Sequence, residues 1–137
     1  MKVRSTLVAV LALLLFNTNS FSQDPKFYIY LCLGQSNMEG AARAEFQDST
    51  VDNRFQVLET LDCPKLGRKK GHWYPAIPPL VRCNTGLGPA DYFGRTMVAN
   101  LPKDIRVGVI NVAIGGCKIQ LFDQDSTKSY TSTAPTW

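Results

Sequence analysis

Histidine is almost absent from these 137 residues, with His72 the only one. A Ser-His-Asp or Cys-His arrangement built within the chain would have to use it. Its setting, between Gly71 and Trp73 in a stretch rich in proline and glycine, reads instead as a surface loop beside an aromatic. Zinc-ligand spacing is also missing, because the four cysteines, Cys32, Cys63, Cys83 and Cys117, stand about twenty or more residues apart. No metal and no cofactor is expected. Net charge is low at +4, which gives no reason to invoke nucleic acid or an anionic membrane, and Arg68-Lys69-Lys70 reads as a solvated loop. No apolar run approaches the roughly 20 residues of a membrane span. The G-x-S-x-G elbow is lacking, and Gly86-Leu87-Gly88 does not extend to G-x-G-x-x-G, so neither that nucleophile turn nor a dinucleotide loop is supported.

The N-terminus has the three-part layout of a secretory leader. Lys2 and Arg4 precede an apolar run from Leu7 to Phe16, and Ser20 and Ser22 supply small residues before Gln23. Residues 1–22 are therefore expected to be a signal peptide cut after Ser22, leaving residues 23–137 secreted or periplasmic, with no membrane contact. Removing Lys2 and Arg4, and no acidic residue, takes the formal charge from +4 to +2. In an oxidising compartment the four cysteines allow three complete pairings, among which sequence does not choose, and Cys32 reads equally well as a free apolar thiol.

What the exported part does contain is two buried-strand patterns, each ending in a polar or glycine turn. Phe27-Tyr28-Ile29-Tyr30-Leu31-Cys32-Leu33 stops at Gly34 and is followed by Gln35, Ser36 and Asn37. Ser36 thus emerges at a strand's C-terminal edge, where α/β sheets hold ligands and where a nucleophile sits on rigid scaffold. The competing reading is that Ser36 or Asn37 merely caps a helix. Residues 55–61 read as a second, short strand, and the prolines and glycines of residues 63–80 exclude a long element. Pro89 to Asn100 reads as a helix with proline at its first position, Asp91 in its first turn and an apolar set at Tyr92, Phe93, Thr96, Met97 and Val98. Ile105 to Ile114 is nearly continuous Val and Ile, as a parallel strand covered on both faces requires, and it ends at Gly115-Gly116. Strand, helix and strand make a β-α-β crossover, which puts that glycine pair on the same sheet edge as Ser36. Such a pair lets the chain turn and brings an N–H close to a ligand, or is a turn without chemistry.

The block G-Q-S-N-M-x-G after a buried strand resembles the first block of the SGNH hydrolases. More narrowly, it is similar to the branch of carbohydrate esterase family six and the sialate O-acetylesterases. Asn111-Val112-Ala113-Ile114-Gly115-Gly116 resembles their second block. The resemblance implies a three-layer α/β/α fold with a mainly parallel, flavodoxin-like sheet. It also implies a serine esterase that removes acetyl groups from an oligo- or polysaccharide. Carried over, Ser36 is the nucleophile and one oxyanion N–H, Gly116 is a second oxyanion N–H, and Gly115 is the neighbour that permits the turn. Gln35, Asn37, Gly115 and Trp73 are candidate substrate contacts, Trp73 as a groove wall. Acetylated xylan, another plant glycan and O-acetylated sialic acid all fit. The family's later Q-G-E and D-x-x-H blocks have no counterpart here, so the expectation is a fold incomplete in this chain and a truncated, inactive esterase half. A non-catalytic carbohydrate-binding remnant is the alternative.

Overall fold

The computed structural model describes residues 23–125. The expected signal peptide and the last twelve residues of the expected esterase domain lie outside them. The described residues form a mixed α/β fold around one four-stranded, mainly parallel sheet. Strands β1 (Phe27–Gly34), β2 (Phe55–Leu58), β3 (Trp73–Pro75) and β4 (Arg106–Ala113) take the order β1-β4-β2-β3. β4 runs parallel to both β1 and β2, whereas β3 is antiparallel to β2. The one-turn helix α1 (Ser36–Glu39) follows β1, and α2 (Pro89–Asn100) connects the β2-β3 hairpin to β4.

The two apolar runs become strands because β-branched and aromatic side chains suit the pleat. Their registers pair Phe27 with Arg106 through to Gly34 with Ala113, so both strands end at the same level. The second strand is shorter than the apolar pattern of residues 55–61 suggests and ends at Leu58. Beyond it, the Glu59 N–H donates to the His72 carbonyl and the Glu59 carbonyl accepts the Gly71 N–H, two adjacent residues before β3 meeting one beyond β2.

Helix α2 has the predicted bounds. Pro89 occupies its first position, and the Asp91 carboxylate accepts the Gly88 N–H at 2.9 Å, which satisfies a donor left open by the first turn. Its buried stripe differs from the apolar set read from sequence. Ala90, Asp91, Gly94 and Val98 face the sheet, while Tyr92 and Phe93 stay partly exposed. The reason is Phe55, whose ring occupies the space that a Cβ on Gly94 would need. The helix therefore approaches the sheet on its smallest residues, and Phe93 packs at the margin, edge-on to Tyr30 at 5.0 Å between ring centres. Arg54 closes the other end by donating to the carbonyls of Val98, Pro102 and Ile105, where a cation also meets the negative end of the helix.

The core lies between α2 and one sheet face and is built from Phe55, Val57, Ala76, Leu80, Ala90, Val98, Val107 and Val109. On the opposite face, Phe27 and Trp73 stack edge-to-face over Gly108, and Ile29, Leu31 and Leu33 of β1 stand 45, 62 and 42% exposed. Of the three complete cysteine pairings, none forms. Cys63 and Cys83 make a disulfide, while Cys32 and Cys117 are free thiols. Burial of Cys32 raises its pKa above the usual thiol value.

Candidate active site

Because Gly34 and Ala113 are register partners, the chain leaves both central strands at one level and Gln35-Ser36 faces Gly115-Gly116. The Ile114 N–H donates to the Gly34 carbonyl at 3.2 Å, and Cys117 closes the turn by donating its N–H to Ile114 at 3.1 Å. The Cys117 thiol also donates to the Gly34 carbonyl, at 3.5 Å. The second turn is thus tied to the residue that precedes Gln35.

Gln35 takes the N-cap position of α1 in extended conformation, and no side chain caps that helix. The capping role weighed for Ser36 and Asn37 is therefore not what places them there. Both are exposed, and the Ser36 hydroxyl makes no hydrogen bond among the described residues. As first residue of a helix, Ser36 also has a backbone N–H without an intrahelical acceptor. Neither Gly115 nor Gly116 donates its N–H to a backbone carbonyl among the described residues. Three N–H groups without a backbone acceptor among the described residues thus lie at the same sheet edge as an unbonded hydroxyl.

The two glycines have separate reasons for lacking a side chain. Gly116 carries the turn, at φ +76°, and has open space around its Cα. Gly115, expected to permit the turn, has no positive φ. A Cβ there would lie 2.8 Å from a Glu39 carboxylate oxygen and 3.8 Å from the Ser36 Cβ, so it is a close-approach glycine. A cavity of about 310 Å³ opens beside the turn, lined by Gly34, Gln35, Cys117, Lys118, Ile119 and Phe122.

Gln35, Ser36, Asn37, Gly115 and Gly116 are thus brought to one edge. Trp73 is not. Its ring lies 4.9 Å from that of Phe27, the first residue of β1, and β1 runs roughly 23 Å to Gly34 at about 3.3 Å per residue. The aromatic reads as a groove wall in sequence because its partner Phe27 lies 46 positions earlier, and only the sheet reveals it. His72 is exposed at the start of β3. Two strands separate β3 from β1, roughly 14 Å of sheet at about 4.8 Å per step, so His72 is out of reach of Ser36.

Glu39 and Arg82 are residues of the site that the sequence reading passed over. Glu39 pairs with the Arg82 Nε at 2.7 Å, and both side chains are largely buried. The position of Glu39 one helical turn after Ser36 is a signal that could have singled it out. Nothing local marks Arg82.

Among known families, the one described as carbohydrate esterase, sialic acid-specific acetylesterase has a family model that matches residues 26–134 of this chain.

Proposed function

Because the chain belongs to the sialic acid-specific acetylesterase family of carbohydrate esterases, we propose that Ser36 is the nucleophile of an acetylesterase acting on a glycan. Ser36 Oγ attacks the acetyl carbonyl, and the N–H groups of Ser36 and Gly116 hold the tetrahedral oxyanion. The sugar hydroxyl departs, and water then releases acetate from the acyl-serine. Gln35 and Asn37 flank the nucleophile as substrate contacts. The observation that carries this reading is the juxtaposition of an unbonded serine hydroxyl with free N–H donors on two neighbouring strand ends.

The proposal assigns the general base to a histidine outside these 137 residues, since His72 lies across the sheet. Xylan acetyl esters are the substrate proposed, with O-acetylated sialic acid as the second arm of the test. Export through cleavage after Ser22 belongs to the same reading, and the Cys63–Cys83 disulfide supports an oxidising compartment. The distance of His72 also favours a second reading, a glycan-binding remnant without turnover.

The two separate experimentally. Acetate release from acetylated xylo-oligosaccharide and from O-acetyl sialic acid is followed for the full-length polypeptide that carries the base and for its Ser36→Ala variant. Loss of turnover with an unchanged melting temperature is the expected result. Residues 23–137 alone should run at nearly the rate of their own Ser36→Ala variant, because a missing general base costs about a hundred- to ten-thousand-fold. Glycan binding with no Ser36-dependent release in any form would favour the remnant.

A further inference from the structure

Resting on that reading of Ser36, we infer that Glu39 is a positioning residue, held by Arg82, which fixes the gap between the nucleophile and the Gly115-Gly116 turn. Both oxygens of Glu39 are directed at groups of the protein. One carboxylate oxygen, Oε1, is taken by Arg82 at 2.7 Å, and the other, Oε2, lies against the Cα of Gly115, where a Cβ would approach it to 2.8 Å. The same point is 3.8 Å from the Ser36 Cβ. Gly115 is therefore seated between Ser36 and Glu39, and the carboxylate sets how near the turn comes.

Arg82 is itself held on several sides. Cys83, its neighbour, is bonded to Cys63, and Leu80 and Val81 are buried. Thr85 closes a turn back onto it, donating both its N–H, at 3.3 Å, and its hydroxyl, at 3.1 Å, to the Arg82 carbonyl. The support thus runs from the disulfide through Arg82 and Glu39 to the glycine turn. Its electrostatics are as specific as its geometry. A bare carboxylate this close to a developing oxyanion would oppose the reaction, and the guanidinium on its far side cancels most of that field.

The pair therefore matters as a pair, which yields an outcome that simple damage to the fold does not share. In the full-length polypeptide, Arg82→Met leaves Glu39 charged and unpaired, and kcat should fall about a hundredfold with KM within about threefold, the signature of an interaction lost in the transition state. Adding Glu39→Gln to Arg82→Met removes the opposing charge while keeping the shape against Gly115, and should recover about tenfold of that loss. Arg82→Lys, which keeps the charge, should recover most of it and serves where the methionine variant fails to fold. Two further additive losses, or a Glu39→Gln/Arg82→Met protein slower than Arg82→Met, would overturn the inference. So would Ser36-dependent turnover indifferent to all of these changes, in which case the reading of Ser36 stands. Hydrolysis that persists in Ser36→Ala overturns that reading and this inference with it.

Discussion

Burial leaves Asp91 with one carboxylate oxygen bonded to the Gly88 N–H at 2.9 Å and the other without a hydrogen bond among the described residues. That desolvation outweighs the Gly88 bond and the nearby Arg95 charge and pushes its pKa up to about 6. In the unfolded chain the same group titrates at 3.8. Between these values the folded protein holds a proton that the unfolded chain releases, so stability falls as pH rises, by at most about 3 kcal/mol. Asp48 and Asp52 act in the opposite sense. The Glu45 N–H and the Tyr92 hydroxyl hold the Asp48 carboxyl below its usual range, and hydrogen bonds from Arg54 do the same for Asp52. Their stabilisation is present above the unfolded value and lost as pH falls through the lower folded ones. The melting temperature should accordingly peak near about pH 4 and decline towards about pH 6. Asp91→Asn, which can still accept the Gly88 N–H, should remove the decline above the peak. A wild-type melting temperature that rises steadily from pH 4 to pH 7 would show that Asp91 is charged in the fold at little cost.

The elements that could be read from sequence are those whose local chemistry and tertiary surroundings agree. β1 and β4 are long β-prone runs closed by glycine, and α2 has a proline start and a proline shortly after its end, so each is specified within its own residues. β3 is different. Trp73-Tyr74-Pro75 lies among prolines and becomes a strand only through pairing with Leu58, Val57 and Gln56, a partnership no window around it contains. The inward face of α2 was likewise hidden, because its choice of Gly94 over Tyr92 is made by Phe55, 39 residues away. That contact gives a prediction. Alanine is better than glycine in a helix interior by about 1 kcal/mol, yet Gly94→Ala would put a methyl group into the Phe55 ring, and overpacking costs about 1–3 kcal/mol. The urea midpoint should fall, and Phe55→Leu in the same chain should recover part of the loss. A midpoint raised by Gly94→Ala alone would mean the helix can shift away from the sheet.

For the whole molecule, the parallel pair β1-β4 delivers two sequence-distant turns to one edge, which is why the β-α-β pattern could place Ser36 and Gly116 on one sheet edge before any geometry was known. The Glu39–Arg82 ion pair could not be read in the same way, because Arg82 lies 43 positions further on, beside Cys83 of the Cys63–Cys83 disulfide. The same sheet carries a liability. β1 is an edge strand among the described residues, without charge, proline or bulge along Phe27–Gly34, and its Ile29, Leu31 and Leu33 line the face that α2 does not cover. Edges and apolar faces of this kind recruit other chains unless something blocks them. Residues 23–137, purified alone, should therefore associate with increasing concentration in sedimentation velocity and bind a dye that reports exposed apolar surface. Leu31 is the most exposed of the three, at 62%, so Leu31→Lys forfeits little burial and places a charge at the centre of the strip. It should shift the population to monomer and lower dye binding while moving the melting temperature by no more than a few degrees. If the wild-type fragment stays monomeric and dark to the dye at high concentration, the face is covered in solution. If Leu31→Lys unfolds the protein, Leu31 is part of a core in which the described residues take only one side.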